Sequence, residues 1–378
     1  MTPTDTCSVI PVHGGPDALG VPRWDFSTNA NACGPAPMVI EAVRQADARR
    51  YPDPGYTVLR QHLGRLHGVD PVRVVLAGSA SEFIRRMTLA VALLKPTARV
   101  QVPDYAYGDY AAAARALGLD VVRESDADTL QADAADPPRL IWHTEPGSPT
   151  GEARAPRPCD PGESVLVVDC AYAPLRLDGE APALPDSAWQ LWSPNKALGL
   201  TGVRGAYAIA PASRGPEAEL AAWLLGQLAA LAPSWPLGAH GVAMLQAWTQ
   251  DETQSWLRAS LHILRSWRRQ QLDLCQKKLG WTCLPGVTPF YLARWGRWDD
   301  GVAADGDALH PATLLPALRQ LGVKLRDTTS MGLPGWVRVS VQAPPTQHAL
   351  ALLWRQAIGD TDFVPTVRQS GFQSLSTY

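Results

Sequence analysis

Lys196 stands in the turn Ser193-Pro194-Asn195-Lys196, one of only five lysines in 378 residues, and Arg204 follows eight positions later in a glycine-rich run. A lysine acts as a nucleophile toward an aldehyde where its surroundings depress its pKa or commit it to a Schiff base, so its neighbours decide its role. Asp169 lies at the carboxyl end of the apolar run Val165 to Val168, with Tyr172 about one turn further on. A carboxylate buried at such a place is costly unless a cation faces it. A protonated pyridine nitrogen would be that cation, and the Tyr172 phenol would reach an oxygen at the ring's 3-position.

A second group of residues suits a phosphate. Residues 77–84, Ala-Gly-Ser-Ala-Ser-Glu-Phe-Ile, close an apolar run and open a helical pattern with small residues. Free backbone N–H groups and the helix dipole at such an end favour an anion. Ala80 and Ser81 are the candidate donors, Ser193 and Arg204 the further contacts, the arginine as a charge-assisted fork. One ligand carries an aldehyde, a pyridine nitrogen and a phosphate together, and the expected cofactor is therefore pyridoxal 5′-phosphate.

Positioning these groups calls for a particular layout. Apolar runs at 74–78, 98–104, 120–125, 139–144, 164–170 and 205–210 read as strands, and Ile84, Met87, Val91 and Leu94 recur at helical spacing within Ser81 to Lys95. Such alternation predicts an α/β fold with a mostly parallel sheet covered on both faces, whose ligands bind beyond the strands' carboxyl ends. After residue 210 the pattern changes to helices at 215–232, 238–249 and 251–279, then strands in Thr288 to Trp295, Val323 to Asp327 and Trp336 to Gln342, with helices at 311–321 and 345–357. The expected division is a large domain over residues 46–250 and a smaller α+β domain from 1–45 and 251–378.

Composition excludes several classes. A formal net charge of −2 leaves no electrostatic footprint for nucleic acid. The most apolar long stretch, Leu220 to Ala232, contains Gln227 and is shorter than the ~20 residues a membrane span needs, so a buried core helix is expected. Six scattered cysteines without paired spacing argue against a structural zinc site or a disulfide framework. The N-terminal stretch lacks a basic and apolar signal pattern, and the expected location is the cytoplasm.

The Ser193, Lys196, Arg204 spacing and the Asp169 to Tyr172 run resemble a fold-type-I pyridoxal-phosphate enzyme of aminotransferase class I/II. Within it the sequence is most similar to histidinol-phosphate aminotransferase and threonine-phosphate decarboxylase. The resemblance implies a seven-stranded sheet and a homodimer in which Tyr51, in Tyr51-Pro52-Asp53-Pro54, crosses to the neighbour's cofactor phosphate. It implies a ring-stacking aromatic shortly after Pro103, for which Tyr105 is favoured over Tyr107. Ser148, in Glu145-Pro146-Gly147-Ser148-Pro149-Thr150-Gly151, stands where the family has an asparagine that contacts the 3-oxygen and the substrate carboxylate. Arg326 and Arg338 match the family's substrate anion binders, Arg338 gripping the α-carboxylate.

The choice of reaction rests on the N-terminus. His13-Gly14-Gly15, followed by Asp-Phe-Ser-Thr-Asn-Ala-Asn at 25–31, resembles the threonine-phosphate decarboxylases, where His-Gly and an asparagine hold substrate. His13, Gly14 and Asn31 are the corresponding candidates here. The expected reaction is decarboxylation of O-phospho-L-threonine, or a close phosphorylated amino acid, to a phosphorylated amino alcohol in cobalamin biosynthesis. The alternative is a histidinol-phosphate-type aminotransferase passing an amino group to a 2-oxo acid.

Overall fold

The computed structural model describes residues 13–126, 139–157, 164–212, 217–296, 298–299, 302–303 and 310–359. Its main sheet has seven strands: β1 (Val74–Ala77), β2 (Arg99–Val102), β3 (Val121–Arg123), β4 (Arg139–Thr144), β5 (Val165–Asp169), β6 (Trp189–Trp192) and β7 (Ala206–Ile209). They lie in the order β1-β7-β6-β5-β4-β2-β3, and all pairs are parallel except those made by β7, which runs antiparallel to both neighbours. This is the mostly parallel sheet expected of fold type I.

Successive residues of β1 alternate between two cores, Val74 and Leu76 on one face, Val75 and Ala77 on the other. That period of two, apolar on both sides, is what a sheet covered on both faces requires. Helices α1 (Pro37–Arg44), α2 (Thr57–His67), α3 (Ala80–Leu94), α4 (Gly108–Ala116), α5 (Glu217–Ala230) and α6 (Ala239–Trp248) provide the cover. Phe83, Ile84 and Met87 of α3 and Leu224 and Leu228 of α5 share one core, while Leu59 and Leu63 of α2 and Met244 of α6 share the other. The apolar run around Gln227 is thus a packed helix.

β6 is the strand the residue pattern does not announce. Its four residues follow a Pro- and Gly-containing loop, and Gln190 breaks the apolar run; their strand character comes from being held between β5 and β7.

The chain then builds α7 (Asp251–Asp273), α8 (Pro311–Gln320) and α9 (Pro344–Ala357) around a four-stranded antiparallel sheet of β8 (Thr282–Pro285), β9 (Phe290–Arg294), β10 (Arg326–Asp327) and β11 (Val337–Ser340), ordered β10-β11-β9-β8. The helix expected to run to residue 279 leaves α geometry at Leu274, where a π-helical turn to Lys278 begins. Among the described residues no helix is long and apolar enough to cross a membrane.

The N-terminal arm belongs with this second sheet. Trp24–Asp25 pairs parallel with Val323–Lys324, and the Phe26 carbonyl accepts from Ser340 N at 2.9 Å. Ser27 to Asn29 are thereby delivered to the carboxyl edge of the large sheet.

The turn carrying Ser148 is fixed where two backbones touch. Val287 N donates to the Gly151 carbonyl at 2.7 Å, and a Cβ on Gly286 would overlap that same carbonyl. Gly286→Ala should therefore cost about 3 kcal/mol of stability. Gly226→Ala, a helical position in α5 with open space around it, should be neutral or slightly stabilising, by ~0.5 kcal/mol. Paired thermal melts of the two variants check this.

Candidate functional site

A cavity of about 480 Å³ lies at the carboxyl edge of the large sheet and takes its lining from both sheets and the N-terminal arm. Every residue singled out from the sequence lines it except Tyr51, Tyr105 and Asn31.

Asp169 ends β5 at the floor of this cavity and is 8% exposed. Its Oδ1 accepts from Ala171 N at 2.9 Å and its Oδ2 from the Tyr110 hydroxyl at 2.7 Å. Burial raises its pKa, opposed by the charge of Lys196 and by these hydrogen bonds. Tyr110 was not among the residues expected from the sequence. It is fully buried, stacks on Trp142 at 4.9 Å between ring centroids, and stands three residues after Tyr107 on the same face of α4. That spacing was the available signal.

Lys196 Nζ donates to Ser193 Oγ at 3.2 Å and lies 5.3 Å from the centre of the Tyr172 ring. The Tyr172 hydroxyl accepts from Asn29 Nδ2 at 3.3 Å, while Asn29 Oδ1 is buried with no partner among the described residues. Asn29 therefore faces the cavity, whereas Asn31, expected there, does not. The Asn31 amide donates to the Ala197 carbonyl and to Ser260 Oγ, and its backbone N to the Lys196 carbonyl. Asn31 fixes the backbone that carries the lysine.

The aromatic near Pro103 also needs correction. Tyr105 is 44% exposed, with its ring toward Gly332, outside the cavity lining. Tyr107 lines the cavity and meets Ser81 Oγ at 3.0 Å, because it occupies the N-cap of α4 and turns inward as that helix starts. Tyr51 is 77% exposed and stacks on Trp235 at 4.1 Å, with Trp235 Nε1 donating to the Pro52 carbonyl.

At the other end of the cavity Arg326 and Arg338 sit directly opposite one another on adjacent antiparallel strands, both buried. Like charges so placed repel. Burial lowers the pKa of each, and for Arg326 the charge of Arg338 adds to the effect. Arg338 donates to Ser148 Oγ at 3.1 Å and to the Ser27 carbonyl at 3.2 Å, and its Nε has no partner; Arg326 donates to Ser330 Oγ at 3.2 Å. Among the described residues neither forms an ion pair, and the Asp327 charge on Arg326 and the Asp25 charge on Arg338 act only from a distance. The arrangement is built for an anion.

A lysine beside a buried carboxylate, small residues at a helix start and paired arginines are accompanied by a family match: the profile described as Aminotransferase class I and II fits residues 23–354. The chain belongs to this family. Pyridoxal 5′-phosphate is its cofactor. The residues fit that group: among the described residues Asp169 has no cationic partner other than Lys196, and a pyridinium would supply one. Among relatives, this aminotransferase-family chain is 28% identical to histidinol-phosphate aminotransferase of Ruegeria pomeroyi over 84% of its length and 86% of that protein's. It is 29% identical to the enzyme of that name from Rhodospirillum rubrum, over 88% and 90%. Its fold is similar to histidinol-phosphate aminotransferase from Sinorhizobium meliloti solved with pyridoxal 5′-phosphate, with a TM-score of 0.74, 20% identity and coverage of 93% and 96%. It is similar also to L-threonine-O-3-phosphate decarboxylase from Porphyromonas gingivalis, with a TM-score of 0.71, 18% identity and coverage of 88% and 99%.

Because burial raises the Asp169 pKa above its unfolded-state value, this carboxyl's contribution to the stability of the cofactor-free fold falls as pH rises from the ordinary carboxylate range through the raised value. Cofactor-free Asp169→Asn should therefore melt no lower than the parent at neutral pH and should lack the parent's loss of stability between the ordinary carboxylate range and neutral pH. Melting curves of both proteins across that range decide the point. Tyr110→Phe removes a hydrogen bond that stabilises the carboxylate and should weaken cofactor binding about tenfold, read by spectral titration.

Proposed function

We propose that this protein is an aminotransferase that moves the amino group of a phosphorylated amino compound to a 2-oxo acid, in the manner of the histidinol-phosphate aminotransferases it resembles. The observation that carries the reading is the Arg326 and Arg338 pair, two buried cations without an ion-pair partner among the described residues, in the same cavity as Lys196. The relatives bearing that enzyme name over most of the chain support it.

When bound, the cofactor supplies an aldehyde and an electron sink for the amino-bearing carbon. Lys196 would hold the cofactor at its aldehyde and is placed to move a proton at the substrate's amino-bearing carbon, its Nζ steadied by Ser193. Asp169, oriented by Tyr110 and the Ala171 amide, holds a proton on the ring nitrogen. Tyr172, with Asn29 donating to its hydroxyl, meets the ring's 3-oxygen, and Tyr107 is the stacking aromatic in this reading. Ala80, Ser81, Ser193 and Arg204 bind the cofactor's phosphate. Arg338 takes a carboxylate, with Ser148 sharing the contact, and Arg326 takes the second anionic group.

We place the enzyme in the cytoplasm as a homodimer, Tyr51 reaching the partner's cofactor phosphate. The exposed stack of Tyr51 on Trp235 supports that reach.

A specific observation favours a second reading, decarboxylation of O-phospho-L-threonine. His13 and Gly14 line the cavity mouth, as the resemblance to those decarboxylases implies. Incubating the pure protein with histidinol phosphate plus 2-oxoglutarate, and separately with O-phospho-L-threonine, separates the two. Glutamate formation in the first mixture without CO2 in the second is expected; CO2 release without transfer overturns the proposal in favour of the second reading. In the transfer assay Arg338→Gln should raise KM for 2-oxoglutarate by about tenfold to a hundredfold, as loss of a bidentate charged contact implies.

A further inference from the structure

Glu82 and Arg86 lie one turn apart inside α3, behind the helix start that faces the cavity. Glu82 Oε2 accepts from Gly78 N at 3.1 Å, and Ser79 Oγ caps the helix by accepting from Glu82 N at 3.0 Å. The Glu82 carboxylate therefore fastens the Ala77-Gly78-Ser79 loop, and it does so within the first turn of the helix. A negative charge at that place stabilises the bare helix but repels a second anion at the same end. Arg86 answers it. Its guanidinium meets Glu82 Oε1 at 2.9 Å and Oε2 at 3.1 Å, and reaches the Leu76 carbonyl at 2.6 Å and the Leu228 carbonyl at 3.0 Å. Its side chain is 4% exposed, against 29% for Glu82.

Neither side chain lines the main cavity, while Ser79, Ala80 and Ser81 do. We propose that Arg86 is a positioning residue for the cofactor's phosphate: it cancels the charge of Glu82, so that the carboxylate shapes the loop without repelling the dianion. The inference rests on placing that phosphate at the start of α3. The pair also explains how the Ala77-Gly78-Ser79 loop keeps its form, since Glu82 occupies the Gly78 amide and leaves the amides of Ala80 and Ser81 to the ligand.

The test compares pyridoxal 5′-phosphate with pyridoxal, which lacks the phosphate, in titrations of cofactor-free protein followed by absorbance. Arg86→Met should weaken pyridoxal 5′-phosphate about tenfold and pyridoxal less than about twofold. Glu82→Gln should raise the preference for the phosphorylated ligand by about threefold, and Glu82→Gln with Arg86→Met should return it to near the parent value. Equal loss of both ligands in Arg86→Met, or no return in the double variant, overturns the proposal, since a merely structural pair would act on both ligands alike. If Arg86→Met does not fold, an unchanged preference in Glu82→Gln overturns it alone. A parent protein that binds both ligands equally would remove the phosphate seat itself, a different failure from that of the pair.

Discussion

Asp169 is a carboxylate that the fold buries with only Lys196 as a cation acting on it among the described residues. Two hydrogen bonds, from a phenol and one backbone amide, do not offset the loss of water around a charge. Its position follows from the sheet: β5 is central, both its neighbours run parallel to it, and the carboxyl ends of such strands open onto the ligand crevice. Tyr110 and Trp142 wall it off from water, which makes the unpaired charge costlier and a cationic ring opposite it more favourable.

The second sheet carries the opposite imbalance. Register sets Arg326 against Arg338; their hydrogen-bond partners are hydroxyls and a carbonyl, and among the described residues Asp327 and Asp25 act on them only from beyond ion-pair distance. One half of the cavity thus holds a buried carboxylate that Lys196 offsets only in part, and the other holds two arginines without an ion pair among the described residues. A ligand pair with a protonated ring at one end and anionic groups at the other relieves both, so binding couples the two sheets through charge as well as through the shared backbone contact at Gly151 and Gly286. The N-terminal arm takes part, since the carbonyl that steadies Arg338 belongs to Ser27, itself tied to Asp25 by hydrogen bonds of its N–H and hydroxyl.

Much of this was legible in the residues. Lys196 and Asp169 stood out because an amine and a carboxylate were each placed beside apolar or small residues that give them nothing to do as surface groups. Six of the large strands announced themselves by apolar runs, and β6 did not, because its identity depends on neighbours distant in sequence. Tyr105 and Asn31 were misplaced for a common reason. Which of two nearby side chains turns inward depends on where a helix starts or a loop bends, and a shift of two residues moves a side chain from cavity to surface or to a backbone contact. Tyr110 is not legible in the residues because the alanine-rich α4 that pairs it with Tyr107 has no strong apolar stripe to mark it. Linear spacing from a proline cannot substitute for that helix.

The residues that bind the cofactor do not decide the reaction. Fold neighbours bearing aminotransferase and decarboxylase names share this architecture, so the difference must come from the substrate anchors. Bond choice at the amino-bearing carbon follows from which substituent is held in the ring plane. Here Arg338 is fixed by Ser148 and Ser27, whereas Arg326 has a single serine partner beside the short helical turn Thr329–Met331. A serine at 148 can accept from Arg338 and donate one proton elsewhere; an asparagine would offer two donors and a longer reach. Under the proposed function the arginine would be the main grip on a substrate carboxylate, and a serine in place of asparagine would act on orientation, the quantity that separates loss of a proton from loss of CO2.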